Sequence, residues 1–73
     1  MRLDYFPDTD TLYIQLRDAP GADAQEVAED MVLDFNEAGE VVGIEIEHAS
    51  QNMDLSAFHL SAIPTRTTAP PVS

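Results

Sequence analysis

Alternating apolar and polar residues mark four short strands in the first part of the chain. The four runs are residues 2–6 (RLDYF), 11–17 (TLYIQLR), 31–35 (MVLDF) and 41–47 (VVGIEIE). A period of two places every second side chain on the same face, as in a half-buried strand. The stretches Pro7–Asp10 and Asn36–Gly39 separate the runs of each pair and carry turn-forming residues. The pattern therefore predicts two β-hairpins.

The spacing also predicts how each hairpin pairs. In the first, a four-residue loop would set Phe6 opposite Thr11 and Tyr5 opposite Leu12. In the second, the apolar residues of both strands share a face only if the loop is even-numbered. A four-residue loop sets Leu33 opposite Val42, whereas a two-residue loop at Ala38–Gly39 sets Leu33 opposite Ile44. We favour the four-residue loop because Asn36 suits the start of a type I turn and Gly39 can adopt positive φ at its end.

The connection over residues 18–30 (DAPGADAQEVAED) loses this alternation. Pro20–Gly21 is a turn dipeptide, and the residues around it are small or acidic. Residues 22–30 could form a helical turn, and Glu26–Val27 could instead begin the next strand early. We predict a mostly irregular connection.

A helix is predicted over residues 48–63. Ser50 or Asn52 can cap it, and Asp54 in its first turn would favour the macrodipole. Apolar residues recur at helical spacing, and Pro64 would stop the element. They are Met53, Ala57, Leu60 and Phe58. Residues 64–73 are rich in Pro and Thr, so we expect a disordered tail there.

The predicted fold is α+β, with an antiparallel sheet of about four short strands and one C-terminal helix packed on one face. It forms one compact domain over residues 1–63. The inner face of the sheet would supply the core, with Met53, Ala57 and Leu60 packed beneath it. The expected inner residues are Leu3, Tyr5, Leu12, Ile14, Leu16, Met31, Leu33, Phe35, Val42, Ile44 and Ile46.

The outer face of the predicted sheet is too apolar for an ordinary solvated surface, and such patches commonly mark protein interfaces. Gly43 is notable because a missing side chain in a strand often marks a bulge or a close approach by another chain. We therefore expect a homodimer through this face or through a strand edge; the alternative is that residues 18–30 fold over the face. The candidate interface residues are Phe6, Tyr13, Val32, Val41 and Gly43.

Composition narrows the function classes. The 73 residues allow one small core, and without cysteine no disulfide can reinforce it. Fourteen acidic residues against three Arg give a formal net charge of −11, which opposes nucleic-acid binding and favours a cationic partner. No apolar run is long enough to span a membrane, and the acidic N-terminus is unlike a signal peptide. We expect a cytoplasmic protein.

Candidate chemistry is sparse. Asp8 and Asp10 resemble a fragment of a calcium loop but lack its other ligands, and a hydrogen-bonded turn is the simpler interpretation. Glu45, Glu47 and His48 are weak metal-ligand candidates, because His48 points away from the two Glu if the strand continues. The sequence contains no nucleophile elbow, so we expect neither an enzyme nor a bound cofactor.

One series of residues resembles a known family, the small bacterial proteins grouped as domain of unknown function 2283. The series runs through Tyr5, Pro7, Asp10, Leu12–Ile14, Leu16, Glu26–Val27, Val32–Asp34, Gly39, Val41–Ile46 and Ala49–Ser50. The resemblance covers about residues 3–60. It implies a compact β-rich fold with a terminal helix and no established activity, and some relatives are encoded beside small toxin-like proteins.

Two functional hypotheses follow. The first is a non-catalytic interaction protein, a homodimer whose acidic surface engages a basic partner such as a cognate toxin. The second is a module that binds a small ligand or a divalent metal through Asp8, Asp10, Glu45, Glu47 and His48.

Overall fold

A computed structural model describes residues 1–64 as a five-stranded antiparallel sheet with one short helix. The strands are β1 Arg2–Phe6, β2 Thr11–Gln15, β3 Asp23–Ala28, β4 Met31–Phe35 and β5 Val41–Ile46, and the helix is α1 Ala49–Asn52. The order across the sheet is β1-β2-β5-β4-β3. The α+β class agrees with the prediction, although there are five strands rather than four. Apart from Pro64, the tail predicted over residues 64–73 lies outside the described residues.

The first hairpin pairs as predicted. Phe6 lies opposite Thr11 and Tyr5 opposite Leu12, so the loop holds four residues, Pro7–Asp10. The alternating pattern places Leu3, Tyr5, Leu12 and Ile14 on a common face of the sheet. Asp10 ends the loop with φ 55°, a left-handed conformation that Asp tolerates better than most residues.

The preferred register of the second hairpin is wrong. Leu33 lies opposite Ile44 and Met31 opposite Ile46, as in the alternative with a two-residue loop. Nearer the turn the ladder is irregular, and Phe35 lies opposite Val41. The loop itself closes between Asn36 and Glu40: the Asn36 amide donates to the Glu40 carbonyl at 2.9 Å. The expectation of an even-numbered loop failed because it assumed a regular ladder of paired residues. A bulge adds one unpaired residue to one of the two strands.

The turn chemistry predicted for this hairpin is correct. The amide of Gly39 donates to the Asn36 carbonyl at 3.0 Å, as in a type I turn, and Gly39 has φ +82°. The Glu40 amide also donates to Asn36 Oδ1 at 2.9 Å. Asn36 therefore starts the turn and Gly39 ends it, as their residue types indicate.

The irregular connection predicted over residues 18–30 is also wrong in part, because Asp23–Ala28 form the edge strand β3. This strand pairs with β4, with a register shift between Glu26 and Ala28, and all of its residues are exposed. An exposed edge strand needs no apolar face, since hydrogen bonds to the neighbouring backbone hold it. The alternation on which the prediction relied is therefore absent.

The predicted helix over residues 48–63 shrinks to the four residues Ala49–Asn52. Met53 is already extended, with φ −151° and ψ 160°, and Ala62 has φ 59°. The Asp54 carboxylate accepts hydrogen bonds from the Ser56 amide and hydroxyl. Such local bonds offer the backbone an alternative to a helix. No helix within residues 1–64 is long and apolar enough to cross a membrane.

The short helix leaves much of the predicted core uncovered. Within residues 1–64 the buried apolar residues are Leu12, Val42, Ile46 and Ala49. Leu12, Ile46 and Ala49 form one cluster, and partly buried apolar residues pack against it: Ile14, Met31, Ile44 and Met53. Five predicted core residues are instead exposed: Leu3, Tyr5, Leu16, Ala57 and Leu60. From the one helical turn, Ala49 joins Leu12 and Ile46 in the core, whereas Leu3 and Tyr5 of β1 remain exposed.

Candidate interaction surface

A hydrogen-bond cluster around Asp10 joins the β1–β2 hairpin to α1. The Tyr5 hydroxyl donates to Asp10 Oδ1 at 2.7 Å, and the Ser50 hydroxyl donates to Oδ2 at 2.7 Å. The Ala49 amide donates to the Asp10 carbonyl at 2.8 Å. The bonds from Ser50 and then Tyr5 hold the pKa of Asp10 below its usual value, while the bond to Asp10 raises the pKa of Tyr5. These contacts anchor the helix to the sheet.

A second cluster anchors the same helix to the β3–β4 turn. Asn52 Nδ2 donates to Asp30 Oδ2 at 3.1 Å and to the Glu47 carbonyl at 2.9 Å. His48 Nδ1 lies 3.1 Å from Asp30 Oδ1. The Asn52 and His48 contacts lower the pKa of Asp30. Asp30 and His48 both adopt a left-handed backbone conformation, with φ of 64° and 51°. The chain turns at each of these residues, and their side chains meet beside α1.

On the outer face, Tyr13 crosses from β2 over β5 to β4. Its hydroxyl donates to Asp34 Oδ2 at 3.1 Å. Gly43 lies beneath it, because a Cβ built on Gly43 would come within 2.1 Å of the Tyr13 hydroxyl oxygen. Partial burial, and then the Asp34 contact, raise the pKa of Tyr13. The close approach expected at Gly43 is thus made by this chain's own Tyr13.

The other predicted interface residues are dispersed. Phe6 lies exposed on the edge strand β1, whereas Val32 lies on β4 with β2 and β5 between them. Val32 is flanked in its cross-strand row by Glu45 and Glu26. Val41 lies at the far end of β5 opposite Phe35. Carboxylates therefore interrupt the outer face and divide its apolar residues.

The weak metal-ligand candidates fall into separate places. Glu45, Glu47 and His48 line an open depression of about 480 Å³ together with Phe6, Thr9 and Thr11. Asp10 is engaged by Tyr5 and Ser50, and Asp8 is exposed in the β1–β2 loop. Within residues 1–64, no three His, Asp or Glu side chains are grouped so as to hold a metal ion.

The inner face carries a more apolar feature, which we call the inner groove. It has a volume of about 620 Å³ and lies between the β1–β2 hairpin and the segment that follows α1. Tyr5 and Leu3 are 44% and 40% exposed, and Phe58 is 71% exposed. The lining residues are Leu3, Tyr5, Leu12, Ile14, Met53, Asp54, Leu55, Ala57 and Phe58. Within residues 1–64 it is a continuation of the core that no other segment covers.

Both Arg within residues 1–64 are already paired with acids. Arg2 Nε lies 2.9 Å from Asp4 Oδ2, and an Arg17 guanidinium nitrogen lies 3.0 Å from Glu40 Oε2. All fourteen acidic residues of the chain lie within residues 1–64. The inner groove is therefore part of a protein whose surface carries a large excess of negative charge.

A match to a family model shows to which family this chain belongs. Residues 2–50 match the family described as Protein of unknown function (DUF2283). The chain belongs to this family. The resemblance seen in the sequence is thereby confirmed, and three of its residues, Tyr5, Asp10 and Ser50, meet in the cluster that anchors α1. No curated protein and no solved structure matches the chain.

Sequence reasoning missed the inner groove because it assumed a long helix over the inner face. A signal was present in Asp54 and Ser56, a pair that can form a local side-chain turn instead of a helix. It also missed the shared role of Tyr5, Asp10 and Ser50, since the Asp10–Ser50 bonds join residues forty positions apart. Their proximity depends on the pairing of β2 with β5.

Proposed function

We propose that this protein is a non-catalytic protein–protein interaction module that works in the cytoplasm and engages a basic protein partner, in the way an antitoxin neutralises a toxin. The observation that carries the proposal is an apolar groove that residues 1–64 leave uncovered, on a chain of net charge −11. Exposed apolar surface favours contact with another macromolecule, and the negative field favours a cationic one.

The proposal includes a homodimer. The few buried apolar side chains within residues 1–64 make a small core, and a small core gains from association with a second chain. The sheet is open, with β1 and β3 at its two edges. Unpaired edge strands are natural sites for pairing with another copy. Light scattering of the full chain at micromolar concentration should give the mass of a dimer, and a monomer would refute this part.

Co-purification tests the basic partner. The tagged full chain, expressed in its native host, should recover a protein of high isoelectric point at low ionic strength. High salt should release that protein, because screening weakens exposed charge interactions. Recovery of no basic protein, or of one that salt does not release, would overturn the proposal.

The alternative function is a small-ligand or divalent-metal module. It is favoured by the open depression that holds Glu45, Glu47 and His48. Carboxylate oxygens and imidazole nitrogen are suitable ligands for such ions. Calorimetric titration of the full chain with calcium, magnesium, manganese and zinc should show saturable heat if this alternative holds. No saturable heat with any of them would remove it.

A further inference from the structure

The inner groove is the apolar feature to which a function can be assigned most directly. Its walls are the inner side of β1–β2 and residues 53–58, and its most exposed large apolar side chain is Phe58. Leu3, Tyr5 and Phe58 are large apolar side chains, and side chains of this kind usually dominate binding energy once they are desolvated. An occupant of the inner groove would therefore extend the small core cluster around Leu12 and Ile46.

The size of the inner groove favours a single segment over a second copy. A stable interface between two folded proteins buries about 800 Å² per partner and involves roughly 20–30 residues a side. The inner groove is lined by nine residues. That is the scale on which one amphipathic helix or extended segment lays a few anchors into a groove.

The charges around the inner groove favour a basic segment. Of the nine lining residues, Asp54 is charged and none is Lys or Arg. Asp10 lies directly beside the groove, since its carboxylate accepts the hydrogen bond of the lining residue Tyr5 at 2.7 Å. The carboxylate oxygens of Asp10 already accept bonds from the Tyr5 hydroxyl and from the amide and hydroxyl of Ser50, so Asp10 would act on a bound segment through its negative charge. The two acids would meet Lys or Arg side chains that flank apolar anchors.

We infer that the inner groove binds an amphipathic, cationic segment of the basic partner. Two or three large apolar side chains enter beside Leu3, Tyr5 and Phe58, and flanking Lys or Arg side chains pair with Asp54 and are attracted by the charge of Asp10. This assignment rests on the proposed function and names the surface and the chemical class that the function uses. The homodimer is left to the edge strands β1 and β3.

Peptide binding to the full chain tests the assignment. The probe is a fluorescein-labelled peptide of about four helical turns, with Leu at i, i+3, i+4 and i+7 spacing and Lys elsewhere. A second peptide has the same composition in an order that destroys the apolar stripe. Fluorescence anisotropy should show the amphipathic peptide binding roughly tenfold or more tightly than the scrambled one.

Two substitutions locate the site. Phe58→Ala and Leu3→Gln should each weaken binding of the amphipathic peptide roughly tenfold. Leu16→Gln is the matched control, because Leu16 is 39% exposed, against 40% for Leu3, and does not line the groove. Both Leu substitutions leave the charge unchanged. Circular dichroism should show all three variants folded, because each replaced side chain is exposed.

The outcomes separate this assignment from the proposed function. Equal binding of the two peptides, or equal effects of Leu3→Gln and Leu16→Gln, would overturn the groove assignment, and so would the absence of peptide binding. A dimer that Phe58→Ala converts to a monomer would also overturn it, since a second copy would then fill the groove. If co-purification still recovers a salt-released basic protein, the proposed function stands; if it does not, both fall.

Discussion

At the scale of single residues, Tyr13 can cross β5 because position 43 has no side chain. A Cβ at Gly43 would lie 2.1 Å from the Tyr13 hydroxyl oxygen and 2.7 Å from Cζ of the ring. The hydroxyl is held at Asp34 on the next strand. One glycine thus lets an aromatic ring bridge three strands of the outer face.

Gly43→Ala should destabilise the protein by about 1–3 kcal/mol, because the added methyl group must push the Tyr13 ring off Asp34. In a Tyr13→Ala background the same change should cost almost nothing, since Ala suits a strand better than Gly. Urea unfolding of the four proteins in this double-mutant cycle measures the difference. An equal cost in both backgrounds would show that Tyr13 is not what Gly43 accommodates.

Asp10→Asn should lower the melting temperature near neutral pH by about 5 °C. The pKa of Asp10 is lowered in the folded state, chiefly by the Ser50 hydroxyl and then by Tyr5. Its stabilising effect is therefore complete above the unfolded pKa, near 3.9, and is lost as the pH falls through the folded value. The melting temperatures of wild type and variant should converge in acid.

Asp8→Asn is the control for this prediction. Asp8 lies in the same loop, and its side chain makes no hydrogen bond within residues 1–64. Its replacement removes the same charge without breaking the link to α1. Thermal unfolding from about pH 7 to about pH 2 should show convergence for Asp10→Asn alone. Similar curves for the two variants would mean that charge, rather than the Ser50 and Tyr5 contacts, sets the effect.

At the scale of elements, α1 is too short to be stable by itself, and tertiary contacts hold it in place. An isolated helix needs about 12–15 residues to be even marginally stable in water, whereas α1 has four. Asp10 anchors it on one side through Ser50 and the Ala49 amide. Asn52 anchors it on the other through Asp30 and the Glu47 carbonyl.

Asn52→Ala should reduce the free energy of unfolding by about 1 kcal/mol, because it removes donors to Asp30 and to the Glu47 carbonyl. Gln51→Ala, one residue earlier in the same helix, is the matched control. The Gln51 side chain makes no hydrogen bond within residues 1–64, so its loss should change stability little. Urea unfolding compares the variants; equal effects would rule out Asn52 as an anchor.

At the scale of the whole molecule, the excess negative charge opposes compactness. The chain carries fourteen acidic residues, and the two Arg within residues 1–64 are both paired with acids. Mutual repulsion of like charges destabilises a compact state. The same charge that would attract a basic partner therefore lowers the stability of the protein alone.

Salt should accordingly stabilise the protein. Raising NaCl from about 0.01 M to about 1 M shortens the Debye length from about 30 Å to about 3 Å. The free energy of unfolding should rise by on the order of 1 kcal/mol as repulsion is screened. Urea midpoints measure this. Magnesium chloride at equal ionic strength should do no more than NaCl; a larger effect would support the metal-binding alternative.

Local pattern predicted the strands that have an apolar face, and it predicted the chemistry of their turns. The pairing of Phe6 with Thr11 and the positive φ of Gly39 follow from alternation and residue type alone. β3 escaped prediction because all its residues are exposed and its stability comes from pairing with β4. The register near Phe35 was not predicted, because one bulged residue shifts the pairing of two strands without changing the apolar–polar alternation in the sequence.

The sequence by itself determined the α+β class, two hairpins, the family and the strong negative charge, since each depends on residue type and near-neighbour spacing. The tertiary structure decided what meets across the sheet. Pairing of β2 with β5 brought Asp10 to Ser50, and a missing side chain at Gly43 admitted Tyr13. Beyond Asn52 the Asp54 carboxylate bonds to Ser56 and offers the backbone an alternative to a helix, so the inner groove stays open within residues 1–64.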